Sequence, residues 1–294
     1  MKVGFLGLGM MGTPMALNLC RKFPVMVWNR SDSKYAALIE AGATVGKKPS
    51  QVVEQSDLIF TMLFDASAIQ SIIDTDASFM KAMRGKTLIN TSSVSVEFSH
   101  KLAEQVHAAG GHFIEMPVSG SKVPAEQGQL VGMMAGDQAI AEQFMPMVEP
   151  FTRAAVYCGP IGSGLKAKYA INTFLVSVTA GLAESMNLAR AQGVNLEAFG
   201  TVLNNCPLAS PYSKIKVAKV LTNDWSPQAA VKDCYNSTEL IKLAAKEAKA
   251  QSPLAQVCNA LYKEAYDRGW AEEDMMSIYK LFSQTSDSKF SSNE

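Results

Sequence analysis

Lys2–Trp28, KVGFLGLGMMGTPMALNLCRKFPVMVW, is the stretch on which the fold turns. Residues 2–9 are a short apolar run punctuated by glycine, residues 11–22 place Met15, Ala16 and Leu19 on one helical side, and Val25–Trp28 is strand-like again. That order is β-α-β. Gly7-Leu8-Gly9-Met10-Met11-Gly12 spells G-x-G-x-x-G where the first strand hands over to the first helix. The first glycine permits a tight turn, the second lets a pyrophosphate approach the backbone, and the third allows close packing of the helix, whose free N-terminal amides point at the anion. Glycine-rich turns are common, so the placement rather than the spelling carries the expectation of a dinucleotide.

About 20 residues on, where an NAD-preferring domain carries an acid for the ribose hydroxyls, the sequence has Asn29-Arg30-Ser31. An arginine stacks on adenine and neutralises a 2′-phosphate, and Ser31 donates to it, so NADP is the expected cofactor. The competing reading of Arg30 is a solvated turn residue.

Outward from this unit the alternation continues. Helices are expected near residues 33–41, 66–73 and 95–109, and strands at 58–63, 87–89, 112–115 and 130–135. Apolar strands separated by amphipathic helices imply a mostly parallel sheet covered on both faces. From about Gly162 the pattern changes: residues 166–192 have helical periodicity without proline, and helical segments follow at 196–203, 212–221, 229–250, 254–267 and 275–282. The expected fold is α/β, with a Rossmann domain over 1–161, a long interdomain helix, and an all-helical domain over 162–294. Its polar tail, 283–294, is expected to fray.

Composition narrows the classes of function. The 294 residues carry equal numbers of basic and acidic side chains, 27 of each, so no bulk field draws nucleic acid or an acidic membrane surface. No window of about 20 apolar residues lacks a charge or a breaker, and a membrane span is not expected. The five cysteines are scattered, with no C-x-x-C pair, which suits a reducing compartment. The amino terminus runs straight into a strand without the pattern of a signal peptide, so a cytoplasmic location is expected. His100, His107 and His112 lack ligand spacing, and no metal is expected. Cys206 and Cys234, with no histidine in that half of the chain, read as packing residues.

Two further segments carry candidate chemistry. In Met116–Leu130, Ser119 and Gly120 offer a hydroxyl and backbone amides at the carboxyl end of a sheet, suited to a substrate carboxylate. By residue type alone an S-G-S turn is more often structural. In Gly162–Asn172, Lys168 and Asn172 are spaced i,i+4 on one helical face. An ammonium there is placed to protonate a carbonyl oxygen as hydride reaches carbon, with Asn172 holding the lysine or the substrate oxygen. Out of context Lys168 reads as a surface residue, and Lys166 is a decoy.

Taken together, GLGMMGTPMALNL at residues 7–19, PVSGSKVPAEQGQL at 117–130 and G-x-G-x-x-x-K-x-x-x-N at 162–172 resemble three ordered signatures of the β-hydroxyacid dehydrogenases. The S-G-S-K-x-P-A-E-x-G form is most similar to the succinic semialdehyde/glyoxylate reductase branch. With Met62-Leu63-Phe64-Asp65, Ser92-Ser93-Val94 and Lys232-Asp233, the resemblance covers the chain except its tail. It implies Lys168 as general acid/base, Asn172 beside it, and Ser119, Gly120 and Ser93 at the carboxylate. It also implies Met62, Leu63 and Val94 in the cofactor groove, and Lys232 and Asp233 completing the pocket, Lys232 with cofactor contacts.

Departures from the pattern are Ile171 for an asparagine, Asn90-Thr91 for Asp-Met, and Trp225 with Gln228 for Phe and Lys. A larger aromatic with an indole donor and the loss of a cation suggest a shifted or enlarged substrate range. The resemblance implies NADPH-dependent reduction of a short carboxylate-bearing aldehyde or keto acid by a homodimer or homotetramer. The alternatives are oxidation of a β-hydroxy acid such as 3-hydroxyisobutyrate, or a cofactor-binding interaction module without catalysis.

Overall fold

The computed structural model describes residues 1–287, with side chains described through Ser283. The chain divides into two compact units, Met1–Lys168 and Tyr169–Glu294.

The first unit is built on a nine-stranded sheet. In chain order its strands are β1 Val3–Leu6, β2 Val25–Trp28, β3 Thr44–Val45, β4 Leu58–Thr61, β5 Thr87–Asn90, β6 His112–Glu115, β7 Val118–Ser119, β8 Leu130–Gly136 and β9 Thr152–Gly159. The spatial order is β3-β2-β1-β4-β5-β6-β8-β7, with β9 beside β8. Every pairing from β3 to β6 is parallel, whereas β8 runs antiparallel to β6 and β7 and parallel to β9. Crossover helices α1 Gly12–Cys20, α2 Ala36–Glu40, α3 Pro49–Glu54, α4 Ala66–Thr75 and α5 Val96–Ala108 join the parallel strands, and α6 Lys122–Glu126 and α7 Gln138–Val148 flank β8. β1, β4 and β5 are buried along their whole length, as strands covered on both faces must be. Phe5, Phe60 and Phe151 sit at the centre of the core as a stacked pair and an edge-on contact.

α8, Ser163–Ala191, continues from the first unit into the second. The second unit adds α9 Leu196–Asn205, α10 Pro211–Thr222, α11 Val231–Glu247, α12 Pro253–Ala265 and α13 Tyr279–Asp287. Its core gathers Val176, Ala183, Met186, Val217, Val231, Tyr262 and Met276. No helix among the described residues is long and apolar enough to cross a membrane, and none of their acidic, cysteine and histidine side chains cluster in threes as metal ligands would.

The structure departs from the sequence reading in three places. β3, β7, β9, α3, α6 and α7 were not expected. The helix anticipated near 33–41 begins with a tighter 3₁₀ turn, Asp32–Lys34. Finally, α13 extends to Asp287, into the stretch expected to fray, because its apolar residues dock: Tyr279 and Leu281 are buried, and the carbonyl of Ser283 accepts from Arg190. The remainder of that tail, 288–294, lies outside the described residues.

Candidate active site

The parallel strands of the first unit all point their carboxyl ends to one edge, and Gly7–Gly12, Asn29–Ser31, Met62, Leu63, Ser93 and Val94 follow strands that end there. Gly7, with φ +100°, follows β1 and donates its amide to Trp28 at the end of β2. A Cβ on Gly12 would lie 2.0 Å from the Gly7 carbonyl, so the turn closes only around hydrogen at that position. Gly9 differs, because a Cβ there meets nothing within 4 Å. Protein packing therefore accounts for Gly12 but not for Gly9, above which the space is open.

Asn29 braces the turn: its Oδ1 accepts from the Leu8 amide at 2.9 Å, and its Nδ2 donates to the Ser31 carbonyl at 3.1 Å. Tyr35 in turn spans the Asn29 backbone, its hydroxyl accepting from the amide at 2.8 Å and donating to the carbonyl at 2.7 Å. By contrast the amides of Gly9, Met10 and Met11 have no protein acceptor among the described residues. Three unspent donors at the start of α1 fit an anionic pyrophosphate. Arg30 and Ser31 stand exposed beside this turn, open to a 2′-phosphate. The residues present thus fit a dinucleotide.

Met62 and Leu63 follow β4, and Ser93 and Val94 follow β5. The Met62 amide donates to Leu6, and the Leu63 amide to the Ser92 hydroxyl at 2.9 Å, so adjacent strand ends are tied together. Asn90 accepts from the Thr61 hydroxyl at 2.9 Å and the Ser92 amide at 3.2 Å, while its buried Nδ2 has no partner among the described residues. Ser119 ends β7 opposite Val131, and Gly120 follows with φ +126°.

Lys168 lies in the second turn of α8, and what seats that helix on the sheet edge went unseen in the sequence. Glu115, the last residue of β6 and 1% exposed, accepts from the amides of Gly162 at 2.9 Å and Leu165 at 3.1 Å, and from the Ser99 hydroxyl at 2.6 Å. A carboxylate at a helix N-terminus is electrostatically favourable, and here it replaces the capping side chain that Gly162 lacks. The only signal was an acid closing an apolar strand, His112-Phe113-Ile114-Glu115. Lys166, the decoy, is exposed, and Lys168 is half-buried.

In the second unit Asn172 is 6% exposed and its Nδ2 donates to the Ser237 hydroxyl of α11 at 3.1 Å. Ser237 was not anticipated. Lys232 pairs with Glu272 at 2.6 Å. Asp233 accepts from the Ala230 amide at 3.2 Å, capping α11, and burial pushes its carboxyl above the ordinary range. The indole of Trp225 donates to Asn223 at 2.8 Å and stacks on Tyr279, so the added donor that the sequence suggested is already engaged. Gln228 contributes its backbone amide to Asp274.

Comparison with known proteins agrees with this arrangement. Residues 2–159 match the family model described as the NAD binding domain of 6-phosphogluconate dehydrogenase, and residues 162–282 that described as NAD-binding of NADP-dependent 3-hydroxyisobutyrate dehydrogenase. Glyoxylate/succinic semialdehyde reductase 1 of Arabidopsis thaliana is 33% identical over 95% of this chain and 97% of its own length. The chloroplastic glyoxylate/succinic semialdehyde reductase 2 of the same plant is 32% identical over 94% and 78%. The crystal structure of a 3-hydroxyisobutyrate dehydrogenase from Salmonella typhimurium shares the fold, with TM-score 0.88 at 22% identity over 95% of this chain and 99% of that one. The chain belongs to the β-hydroxyacid dehydrogenase family, NAD(P)-dependent oxidoreductases acting on hydroxyl or aldehyde groups, with NADP(H) as cofactor.

Proposed function

We propose that the protein reduces a short aldehyde or keto acid bearing a carboxylate, of the succinic semialdehyde or glyoxylate type, with NADPH preferred over NADH. The observation that carries this reading is the seating of Lys168: the first turn of its helix is hydrogen-bonded to Glu115, at the same sheet edge where the glycine turn opens and the Ser119–Gly120 turn lies close in sequence. The two plant reductases supply the substrate class.

When bound, the cofactor supplies the hydride. Ser119, Gly120 and Ser93 take the substrate carboxylate through hydroxyls and amides, fixing which carbonyl face is presented. Lys168 gives its ammonium proton to the oxygen as negative charge develops there, a contribution typically of about 10²–10⁴-fold. Asn172, one turn after Lys168 on α8 and with its Nδ2 taken up by Ser237, keeps its carbonyl oxygen as the group to hold the lysine. Arg30 and Ser31 receive the 2′-phosphate, and Met62, Leu63 and Val94 line the groove. Lys232 and Asp233 frame the pocket from the start of α11, and Trp225 shapes it by bulk, since its indole hydrogen is spent on Asn223.

NADPH consumption across a panel of semialdehydes, keto acids and neutral aldehydes tests the reading. Activity confined to the carboxylates is expected, and equal turnover of neutral aldehydes contradicts it. Oxidation of a β-hydroxy acid is the second reading, favoured by the description of the family model over residues 162–282. Kinetics in both directions with both coenzymes separate the two.

A homodimer or homotetramer is part of the proposal. Ile171, Phe174 and Leu188 of α8 are 40%, 67% and 57% exposed and recur on the 3.5-residue seam by which a helix pairs with a second copy.

A further inference from the structure

Glu115 is a buried acid that no ion pair reaches among the described residues; its three partners are two amides and a hydroxyl. Burying a carboxylate is costly unless its hydrogen bonds are complete, and the local alternative is closed off: at Gly162 φ is +94° and a Cβ would lie 2.9 Å from Val96, so no capping serine or aspartate fits there. We propose that Glu115 is a positioning residue for the reaction, acting through the first turn of α8 to fix where Lys168 stands relative to the Ser119–Gly120 turn. The inference rests on Lys168 being the proton donor.

The connection is short on both sides. Toward Lys168, Oε1 holds the amide of Leu165, one helical turn earlier, so the axial position and rotation of α8 are referred to the sheet rather than to the preceding loop. Gly164 completes the seat: a Cβ there would lie 2.3 Å from the Met133 carbonyl of β8 and 3.2 Å from Glu115 Oε1, so only glycine lets the turn come this close. Toward Ser119, the chain runs from Glu115 through Met116 and Pro117 into β7, with Pro117 accepting from the Met133 amide at 3.0 Å. The backbone of Met133 thus meets both arms, its amide at Pro117 and its carbonyl against Gly164. Oε2 is held from behind by Ser99 of α5, which leaves Oε1 to face the helix.

Two substitutions at 115 separate positioning from bulk structure. Glu115→Gln keeps an acceptor for the two amides, and Glu115→Leu removes it. Because a misplacement of about 1 Å costs about 100-fold in rate, Glu115→Leu is expected to lower kcat by about that factor while the Kd for NADPH stays within about twofold and the substrate KM changes far less than kcat. Glu115→Gln is expected to restore most of the loss. Should Glu115→Leu not fold, Ser99→Ala decides the matter, since the Ser99 hydroxyl is bonded to the carboxylate and not to the α8 amides; a kcat lower by about tenfold with NADPH affinity intact is expected. A folded Glu115→Leu enzyme with the parent's kcat overturns the proposal, as does an unchanged kcat in Ser99→Ala where Glu115→Leu does not fold. Lys168→Ala, assayed alongside, separates the two claims: parental activity there removes the proton-donor reading, whereas an inactive Lys168→Ala beside a fully active Glu115→Leu removes the positioning role alone.

Discussion

Two buried carboxylates, Glu115 in the first unit and Asp274 in the second, are held in opposite ways. Glu115 takes only neutral donors, two of them backbone amides, and so fixes where a helix begins. Asp274, 0% exposed, accepts from the Met276 amide at 3.0 Å and the Gln228 amide at 2.9 Å, and also from the ammonium of Lys216 at 2.6 Å. Burial pushes Lys216 below the ordinary lysine range, and Asp274 opposes that shift. Tyr212 lies beneath the ammonium, and its hydroxyl is joined to Thr179. The difference is one of dependence. The acid at the end of β6 has no cation among its partners, whereas the acid in the helical unit and its lysine each strand the other if one is lost.

The largest effect should come from that dependence. Lys216→Met leaves Asp274 without its counter-ion and is expected to destabilise the second unit by about 3–5 kcal/mol, read by calorimetry, while Lys216→Met/Asp274→Asn together recover most of the loss. A single variant as stable as the parent would erase the contrast. Next comes Gly164→Ala, whose Cβ meets the Met133 carbonyl at 2.3 Å. It should cost about 1–3 kcal/mol and reduce kcat as the turn is lifted from Glu115.

Gly9→Ala probes room left for a ligand rather than for packing. Its melting temperature should match the parent's, while NADPH binding weakens by about tenfold, or about 1.4 kcal/mol, in a fluorescence titration. The smallest effect belongs to Asp224, an exposed acid held at about 2 by the Ser226 hydroxyl and amide and by Lys219. Its folded pKa is depressed, so its contribution is present above 3.8 and is lost as the pH falls toward 2. An NMR titration placing its midpoint at the ordinary carboxylate value would contradict this.

The parallel half of the first unit was legible because its strands are continuous apolar runs between helices, and the glycine turn because only glycine fits where Gly12 meets Gly7. β9 was not, since Thr152–Gly159 pairs on one side only and much of it faces solvent, so its sequence lacks a buried strand's pattern. Lys216 hides among Lys214 and Lys219 in α10, where a lysine reads as a solvated face; its burial is decided by Asp274, 58 residues away. Glu115 hides for the same reason, because its meaning lies in amides 47 and 50 residues along the chain. Local patterns write the elements, while polar contacts between distant segments write the seating of the site.

Single-turnover oxidation of NADPH by Lys168→Ala, with a short semialdehyde carboxylate as substrate, tests the proposed chemistry most directly. A rate lower by about 10²–10⁴-fold at unchanged NADPH affinity is expected. A variant that binds NADPH and reduces the aldehyde as fast as the parent would contradict it.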